Sequence, residues 1–353
     1  MITKILLVFA CLAALDRIFG NKMKLGEEFE KGINMFGPIV LAMVGIMILV
    51  PVIADGLKHL TWLLPDFIDF SIIPASLLAN DQGAAMLARE LSTNKEIGAL
   101  NGLVVSSMMG CTVAYLIPYS LQMTKKEDHP HVLFGILCGI ATIPVGCIIA
   151  GLICGINIFT ILINQIPLIL FAGLITFGII KSEKVTVKIL QGFGWFINAL
   201  ITVGITVGII EFMTGVKLIA NADTLENTIG IVMSIVGIMV CALPLLYILK
   251  KIFAKPLKVM GRKLGINETS AFGFITTLGT SLTTFEMANE MDKKGLVLNS
   301  AFAVSASFAV IDHFAFTMAF DANYVIPVVA GKVISGVASV ALAYWLLKRK
   351  ETK

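Results

Sequence analysis

Two polar stretches of membrane length decide the fold of this chain: SIIPASLLANDQGAAMLAREL at 71–91 and SAFGFITTLGTSLTTFEMANE at 270–290. Both are interrupted by small and polar residues, and both stand between long apolar runs. In lipid every backbone polar group needs a partner, so such stretches must lie inside protein or beside a water-filled cavity. We therefore predict that both are re-entrant hairpins or broken helices, named hairpin one (71–91) and hairpin two (270–290).

The composition identifies lipid as the surroundings of the remaining chain. Of 353 residues, 57% are apolar and 14% are charged, against about 45–50% and about 25% in ordinary soluble domains. This deficit of charge excludes a disordered protein, a nucleic-acid binder and most soluble enzymes, and the net charge of +4 is small. The six cysteines show no CxxC spacing, so we expect no metal site, disulfide framework or cofactor.

Nine segments have the roughly 20 mainly apolar residues that a membrane span requires. The sequence thus predicts an all-α polytopic membrane protein with about nine transmembrane helices plus two re-entrant hairpins. If both hairpins crossed fully, there would be eleven segments. The nine predicted spans are 2–18, 36–56, 97–120, 132–154, 159–180, 193–214, 229–249, 296–318 and 325–347.

The distribution of basic residues predicts the topology, because cytoplasmic loops are enriched in Lys and Arg. With nine spans and two hairpins, 21 of the 27 basic residues fall on one face, including the clusters at 250–263 and 293–294. Full crossing by the hairpins would place these two clusters on opposite faces. We therefore predict an outside N-terminus and a cytoplasmic C-terminus. The five basic residues on the outer face are Lys4, Lys58, Arg89, Lys95 and Lys217.

Matching words in the same order predict an internal duplication. VGIM occurs at 44–47 and 236–239, and MLAREL at 86–91 resembles EMANEM at 286–291. The predicted organisation is a first repeat at 1–120, connecting helices at 121–190 and a second repeat at 191–353. Because the hairpins enter from opposite faces, the repeats are inverted, which is typical of secondary transporters that bind substrate near the midplane.

Few ionisable residues remain at membrane depth, where such groups are costly and usually functional. Asp81 is the first candidate for binding a ligand, although it could instead cap a helix. Glu286 could bind a ligand or lie at the interface. Asp312 and His313 form a candidate proton-linked pair, or a structural pair with Lys332 as countercharge.

Several polar words inside the predicted membrane region resemble the ethanolamine utilisation transporter family, EutH. They are the run 299–306 continuing to Asp312 and His313, the words at 77–81 and 142–147, and Ala14–Arg17. This chain departs from the family motif Asp-x-Gly-Gly, because Ala84 replaces the second glycine. The resemblance implies a bacterial inner-membrane permease that brings ethanolamine to a catabolic pathway.

A site for ethanolamine needs a carboxylate for its ammonium group and polar groups for its hydroxyl. The predicted substrate-binding residues are Asp81, Asn80, Gln82, Gly83, Thr280, Ser281, Phe285 and Glu286, and the predicted proton or charge relay comprises Asp312, His313 and Lys332.

Other functions and the oligomeric state stay open from the sequence alone. The alternative is a transporter or facilitator of another small amine, an ion or a neutral solute. A membrane enzyme is disfavoured, because His313 is the single histidine within the predicted spans and no catalytic group is expected. Analogy with other hairpin transporters suggests a homodimer.

Overall fold

The computed structural model describes residues 2–351, apart from the side chains at 2, 253–255, 257, 258, 260, 350 and 351. Between residues 2 and 351 the chain forms helices, turns and no strand. The last two residues of the predicted second repeat, including Lys353 of the predicted cytoplasmic tail, lie outside this range. The protein is therefore an all-α polytopic membrane protein, and six of its described helices are long and apolar enough to cross a membrane.

The helices follow the order that the hydropathy predicts. Ahead of hairpin one lie α1 (Ile2–Ile18) and α2 (Leu25–Lys58), and hairpin one contains α3 (Ile72–Leu77) and α4 (Ala84–Leu91). The following helices are α5 (Lys95–Met123), α6 (Lys126–Ile153), α7 (Ile158–Thr214) and α8 (Leu225–Leu264). Hairpin two contains α9 (Glu268–Gly279) and α10 (Ser281–Glu286), and α11 (Lys293–Ala306), α12 (Asp312–Phe320) and α13 (Val325–Glu351) complete the described chain.

Helix α7 contains two of the predicted spans because it folds back at Ser182. That residue has non-helical torsions, φ −156° and ψ 81°. A Cβ atom built on Gly178 would lie 2.8 Å from Oγ1 of Thr186, which places the two arms of α7 side by side. The segments 159–180 and 193–214 therefore run in opposite directions across the membrane.

The prediction of a continuous span over 296–318 is wrong. Helix α11 ends at Ala306, the chain runs through turns over 307–311, and α12 begins at Asp312. The backbone N–H of Phe308 donates to the carbonyl of Thr277 at 3.1 Å, and that of Val310 donates to Leu278 at 2.9 Å. These hydrogen bonds to the end of α9 satisfy the backbone N–H groups of the break, which in an unbroken helix would bind carbonyls of the same helix.

The two ends of hairpin one are fastened together by a single buried carboxylate. Asp69 accepts hydrogen bonds from the backbone N–H groups of Ser71 at 3.0 Å, Thr93 at 3.0 Å and Asn94 at 3.1 Å. The side chain of Asn101 in α5 also donates to Ser71 Oγ at 2.9 Å. The two ends of hairpin one therefore lie side by side, as the prediction of a re-entrant hairpin requires.

Hairpin two is fastened in a similar manner. Asp292 accepts from the backbone N–H of Asn267 and from Ser270 Oγ, both at 2.8 Å. Asn299 in α11 donates to the Ser270 carbonyl at 2.8 Å. A serine at the base of each hairpin is thus bound by an asparagine of the helix that follows it. The similar hydrogen bonds at the two hairpins support the internal repeat, which stays a prediction.

The loops that carry the most positive charge meet at one face of the molecule, named here the basic face. Lys293 at the start of α11 donates a hydrogen bond to Asp128, beside the start of α6. His129 Nδ1 lies 3.6 Å from the Glu183 carboxylate, beside the turn of α7. On the opposite face, Asp69 at the base of hairpin one donates its backbone N–H to Asn164 Oδ1 at 2.7 Å.

Glycine contacts bring several helices close enough for their backbones to touch. A Cβ atom on Gly45 of α2 would lie 1.7 Å from the carbonyl oxygen of Ile201 in α7, and one on Gly204 would lie 2.0 Å from the Gly45 oxygen. A Cβ atom on Gly331 of α13 would lie 2.7 Å from the Gly146 oxygen in α6. Small residues permit such close packing in membranes, and the last contact fixes the depth of the adjacent Lys332.

Candidate functional site

The break in hairpin one carries four of the predicted site residues. Helix α3 ends at Leu77, the following Leu78 is extended, and Asn80–Gln82 form a single tight turn. Gly83 then adopts φ +90°, a left-handed conformation that costs glycine little. The turn thus presents three successive polar side chains between two short helices.

These side chains, of which Asp81 and Gln82 are half-buried, have unused hydrogen-bonding capacity. Asn80 is fully buried. Within the described chain, neither polar atom of its side chain has a hydrogen-bond partner, and the same is true of Asp81 Oδ1 and Gln82 Oε1. An unsatisfied buried polar group costs about 1–3 kcal/mol. Such a concentration of unpartnered atoms is therefore expected where a polar ligand binds.

Asp81 shares a small cavity with Asp312. The cavity has a volume of about 160 Å³, and these two acids are the charged residues in its lining. Asp312 reaches it because the chain breaks at 307–311 and α12 begins there. Two carboxylates facing one small, mainly apolar cavity favour a bound cation, since like charges repel strongly at low dielectric. The apolar part of the lining is Met35, Pro38, Ile39, Ala42, Met43, Ile235, Met239 and Phe316.

Lys332 supplies a positive charge behind this pair. Its side chain is fully buried, and Nζ donates to the backbone carbonyl of Ser107 at 2.5 Å. Over Leu100–Gly110, α5 widens to π geometry, which is rare and frequent at functional sites. The ammonium group of Lys332 lies close enough to Asp81 and to His313 to interact electrostatically with both.

His313 does not line the cavity, although it follows Asp312 in sequence. Its ring packs against the ring of Phe308 with centroids 5.2 Å apart. Its Nδ1 atom is buried and finds no partner among the described residues. The structure thus brings Asp312 to the cavity and His313 to a neighbouring aromatic cluster.

The predicted residues of hairpin two lie apart from the acid pair. Thr280 caps α10, because its Oγ1 accepts the backbone N–H of Leu282 at 3.2 Å. Ser281 is fully buried, with no partner for its hydroxyl within residues 2–351, and Phe285 is packed in the core. Glu286 is exposed. These four residues do not line the cavity of Asp81 and Asp312.

Sequence reasoning did not place Phe308 in the buried group that joins the two broken segments. Ala79 of hairpin one, Cys111 of α5 and Phe308 of the 307–311 break form a small buried group, against which Tyr115 packs. Phe308 has φ +62°, which is unusual for a bulky residue. The serines at 305 and 307 inside an apolar run were the signal that could have indicated this break.

Comparison with known proteins identifies close relatives along the whole chain. The family model described as "Ethanolamine utilisation protein, EutH" matches residues 1–346. A protein of Listeria monocytogenes serotype 1/2a named probable ethanolamine permease EutH is 38% identical, covering 100% of this chain and 95% of its own length. Proteins of the same name from Salmonella typhimurium and Escherichia coli K12 are each 33% identical, covering 99% of this chain and 96% of theirs. No solved structure matches the chain.

Proposed function

The chain belongs to the EutH family of ethanolamine utilisation proteins, and we propose that it carries ethanolamine through the cytoplasmic membrane. The observation that supports this most strongly is the pair of carboxylates, Asp81 and Asp312, on one small cavity beside unpartnered amides. The substrate is the protonated form, ethanolammonium, which is the main species near neutral pH. Curated relatives that bear the permease name cover its full length.

The chemistry of the cavity matches the two ends of ethanolammonium. The ammonium group takes the position between the two carboxylates, where charge-assisted hydrogen bonds are strong. The hydroxyl group pairs with the side-chain amides of Asn80 and Gln82, which do not line the cavity itself but flank Asp81 in the same turn and keep polar atoms without partners inside the described protein. Apolar side chains around the cavity strengthen these interactions by excluding water.

The direction of the molecule in the membrane follows from its charge. The basic face lies in the cytoplasm in this proposal, because cytoplasmic loops are enriched in Lys and Arg. Hairpin one then enters from outside and hairpin two from the cytoplasm, as inverted repeats require. The homodimer expected by analogy stays a prediction.

Uptake into proteoliposomes tests the proposed function. Wild-type protein should concentrate or equilibrate radiolabelled ethanolamine, ethylamine should compete more weakly, and ethylene glycol should not compete. Ethylamine leaves the amides unpartnered, and ethylene glycol has no charge for the carboxylates. Wild-type vesicles that take up ethanolamine no faster than empty vesicles would refute the proposal.

The variant Asp81→Asn tests the site within that function. Removing a buried charge partner costs about 2–5 kcal/mol, so the half-saturating ethanolamine concentration should rise at least about 30-fold. The matched control is Asp66→Asn, which removes an exposed carboxylate just before hairpin one. Equal uptake kinetics in Asp81→Asn and Asp66→Asn would show that Asp81 does not bind the substrate.

A further inference from the structure

An apolar groove, named here the α13 groove, runs along α13 and is separate from the cavity of Asp81 and Asp312. Two adjoining hollows with volumes of about 520 Å³ and about 500 Å³ form it, and both are lined by Val333. On α13 the groove extends from Val325 to Val340, which is about 22 Å at 1.5 Å per residue. It therefore follows most of the hydrocarbon thickness of a membrane, which is about 30 Å.

The α13 groove is lined by apolar residues throughout and is open along one side. Ile326, Ile334 and Val337 of α13 are 60%, 42% and 58% exposed. Helix α8 forms the opposite wall, and the floor contains Val310 of the 307–311 break and Phe314 of α12. Water and ethanolammonium both need polar partners, so the lining suits a hydrocarbon chain instead.

The α13 groove ends at the basic face, where α11 begins. Leu264 lines this end, directly after the exposed Lys263. Lys294 reaches the same place, because its Nζ atom lies 3.6 Å from a Cβ atom built on Gly265 and 4.6 Å from the ring centroid of Tyr344. Positive charge therefore surrounds the end of an apolar groove.

Helix α8 adds positive charge at this end. Leu249 lines the groove and is followed directly by Lys250 and Lys251. Among the described residues, Lys251, Lys263 and Lys294 form no ion pair with a carboxylate. These charges are therefore available to an anionic partner.

We propose that an anionic phospholipid binds here, with one acyl chain in the α13 groove and its phosphate among Lys251, Lys263 and Lys294. Basic pockets between membrane helices on the cytoplasmic side bind anionic lipid headgroups. The groove orders the chain through close packing, which is the main attraction between apolar groups inside a membrane. The lysines provide selectivity, because a zwitterionic lipid offers the same chain without net negative charge.

The bound chain supports the part of the fold that carries Asp312. It contacts Val310 and Phe314, which lie two residues before and two residues after this acid. An empty groove would leave both side chains without neighbours on one side, with a loss of dispersion contacts. Phosphatidylglycerol should therefore raise the melting temperature of the wild-type protein, since it binds the native state.

Native mass spectrometry of the purified full chain tests the proposal without ethanolamine. Wild-type protein should bind one dioleoyl phosphatidylglycerol at least about tenfold more tightly than dioleoyl phosphatidylcholine. Val337→Trp fills the open side of the groove, so it should weaken phosphatidylglycerol binding about tenfold and abolish the rise in melting temperature. The matched control is Val203→Trp, which places the same ring on an exposed position of α7 and should keep both.

A second variant tests the headgroup site. Lys263→Gln combined with Lys294→Gln should lower the preference for phosphatidylglycerol at least about tenfold, because each lysine near the membrane surface contributes about fivefold. The control combines Lys184→Gln with Lys188→Gln, which removes two exposed lysines near the turn of α7 and should keep the preference.

Equal affinity of the wild-type protein for the two lipids would overturn the proposal, and so would wild-type phosphatidylglycerol binding by Val337→Trp or by the groove lysine variant. A cross-linked dimer of Val337→Cys that wild-type protein does not form would also overturn it, because a second copy would then occupy the groove. The proposed function fails separately, since ethanolamine uptake plays no part in these measurements.

Discussion

Gly110 lets α5 lie directly on the backbone of hairpin one, next to the break that carries Asp81. A Cβ atom at this position would lie 1.8 Å from the carbonyl oxygen of Leu78 and 2.4 Å from its carbonyl carbon. Ordinary contact begins at 3.4 Å, so Gly110→Ala forces the two backbones apart by about 1.6 Å in a region that packs tightly. The turn of Asn80–Gln82 begins two residues after Leu78 and must move with it.

We expect this displacement to damage transport more than folding. Overpacking costs typically about 1–3 kcal/mol, which lowers the melting temperature but leaves a folded protein. A misplacement of about 1 Å in a positioned site can cost about 100-fold in rate. Gly110→Ala should therefore reduce ethanolamine uptake in proteoliposomes by roughly two orders of magnitude.

The matched control is the same substitution at Gly173 in α7, where a Cβ atom meets nothing within 4 Å. Alanine is the better helix former, so Gly173→Ala should keep both uptake and melting temperature. Wild-type uptake by Gly110→Ala would refute the reasoning, because the hairpin would then tolerate a shift that the geometry makes unavoidable.

Two further substitutions test how hairpin one is held. Asp69→Ala removes the acceptor of three backbone N–H groups at 3.0–3.1 Å, and it should lower the free energy of unfolding in detergent by about 3 kcal/mol; an unchanged unfolding midpoint would contradict the role of this carboxylate. Gly83→Ala puts a side chain on a residue with φ +90°, and its Cβ atom lies 3.0 Å from Ile46 Cγ1. The variant should therefore lose about 1–2 kcal/mol of unfolding free energy and take up less ethanolamine. The control is Gly20→Ala, at a residue with φ +91° and no atom within 4 Å of its Cβ position. It should lose a similar unfolding free energy but keep ethanolamine uptake. Equal uptake by the two variants would show that Gly83 does not shape the site.

The helices and hairpins could be predicted because lipid restricts what an apolar chain can do. Long apolar runs must form helices, and polar runs of equal length must be shielded. The break at 307–311 has a much weaker signal, the serines at 305 and 307, because the run around Phe308 is otherwise apolar and contains neither Gly nor Pro. Its cause is tertiary, since the N–H groups of Phe308 and Val310 bind carbonyls of α9.

The sequence indicates individual residues of the candidate site, but it does not indicate how they are arranged in space. Asp81 and Asp312 were candidates because a carboxylate at membrane depth is costly, but Asp312 was predicted as part of a proton or charge relay rather than as a ligand. Nothing in the sequence indicates that these two share a cavity while Glu286 remains exposed. Phe308 resembles the other aromatic residues of an apolar chain until the packing places it against Tyr115 and His313.

The central claim is that one ammonium group is held by both Asp81 and Asp312. A double-mutant cycle on ethanolamine binding to purified protein tests it, using Asp81→Asn, Asp312→Asn and the double variant. If the two acids share the ammonium, the double variant should bind much more tightly than the product of the single effects predicts, with a coupling energy above about 1 kcal/mol. Single effects that simply multiply in the double variant, or wild-type affinity in either single variant, would contradict the claim.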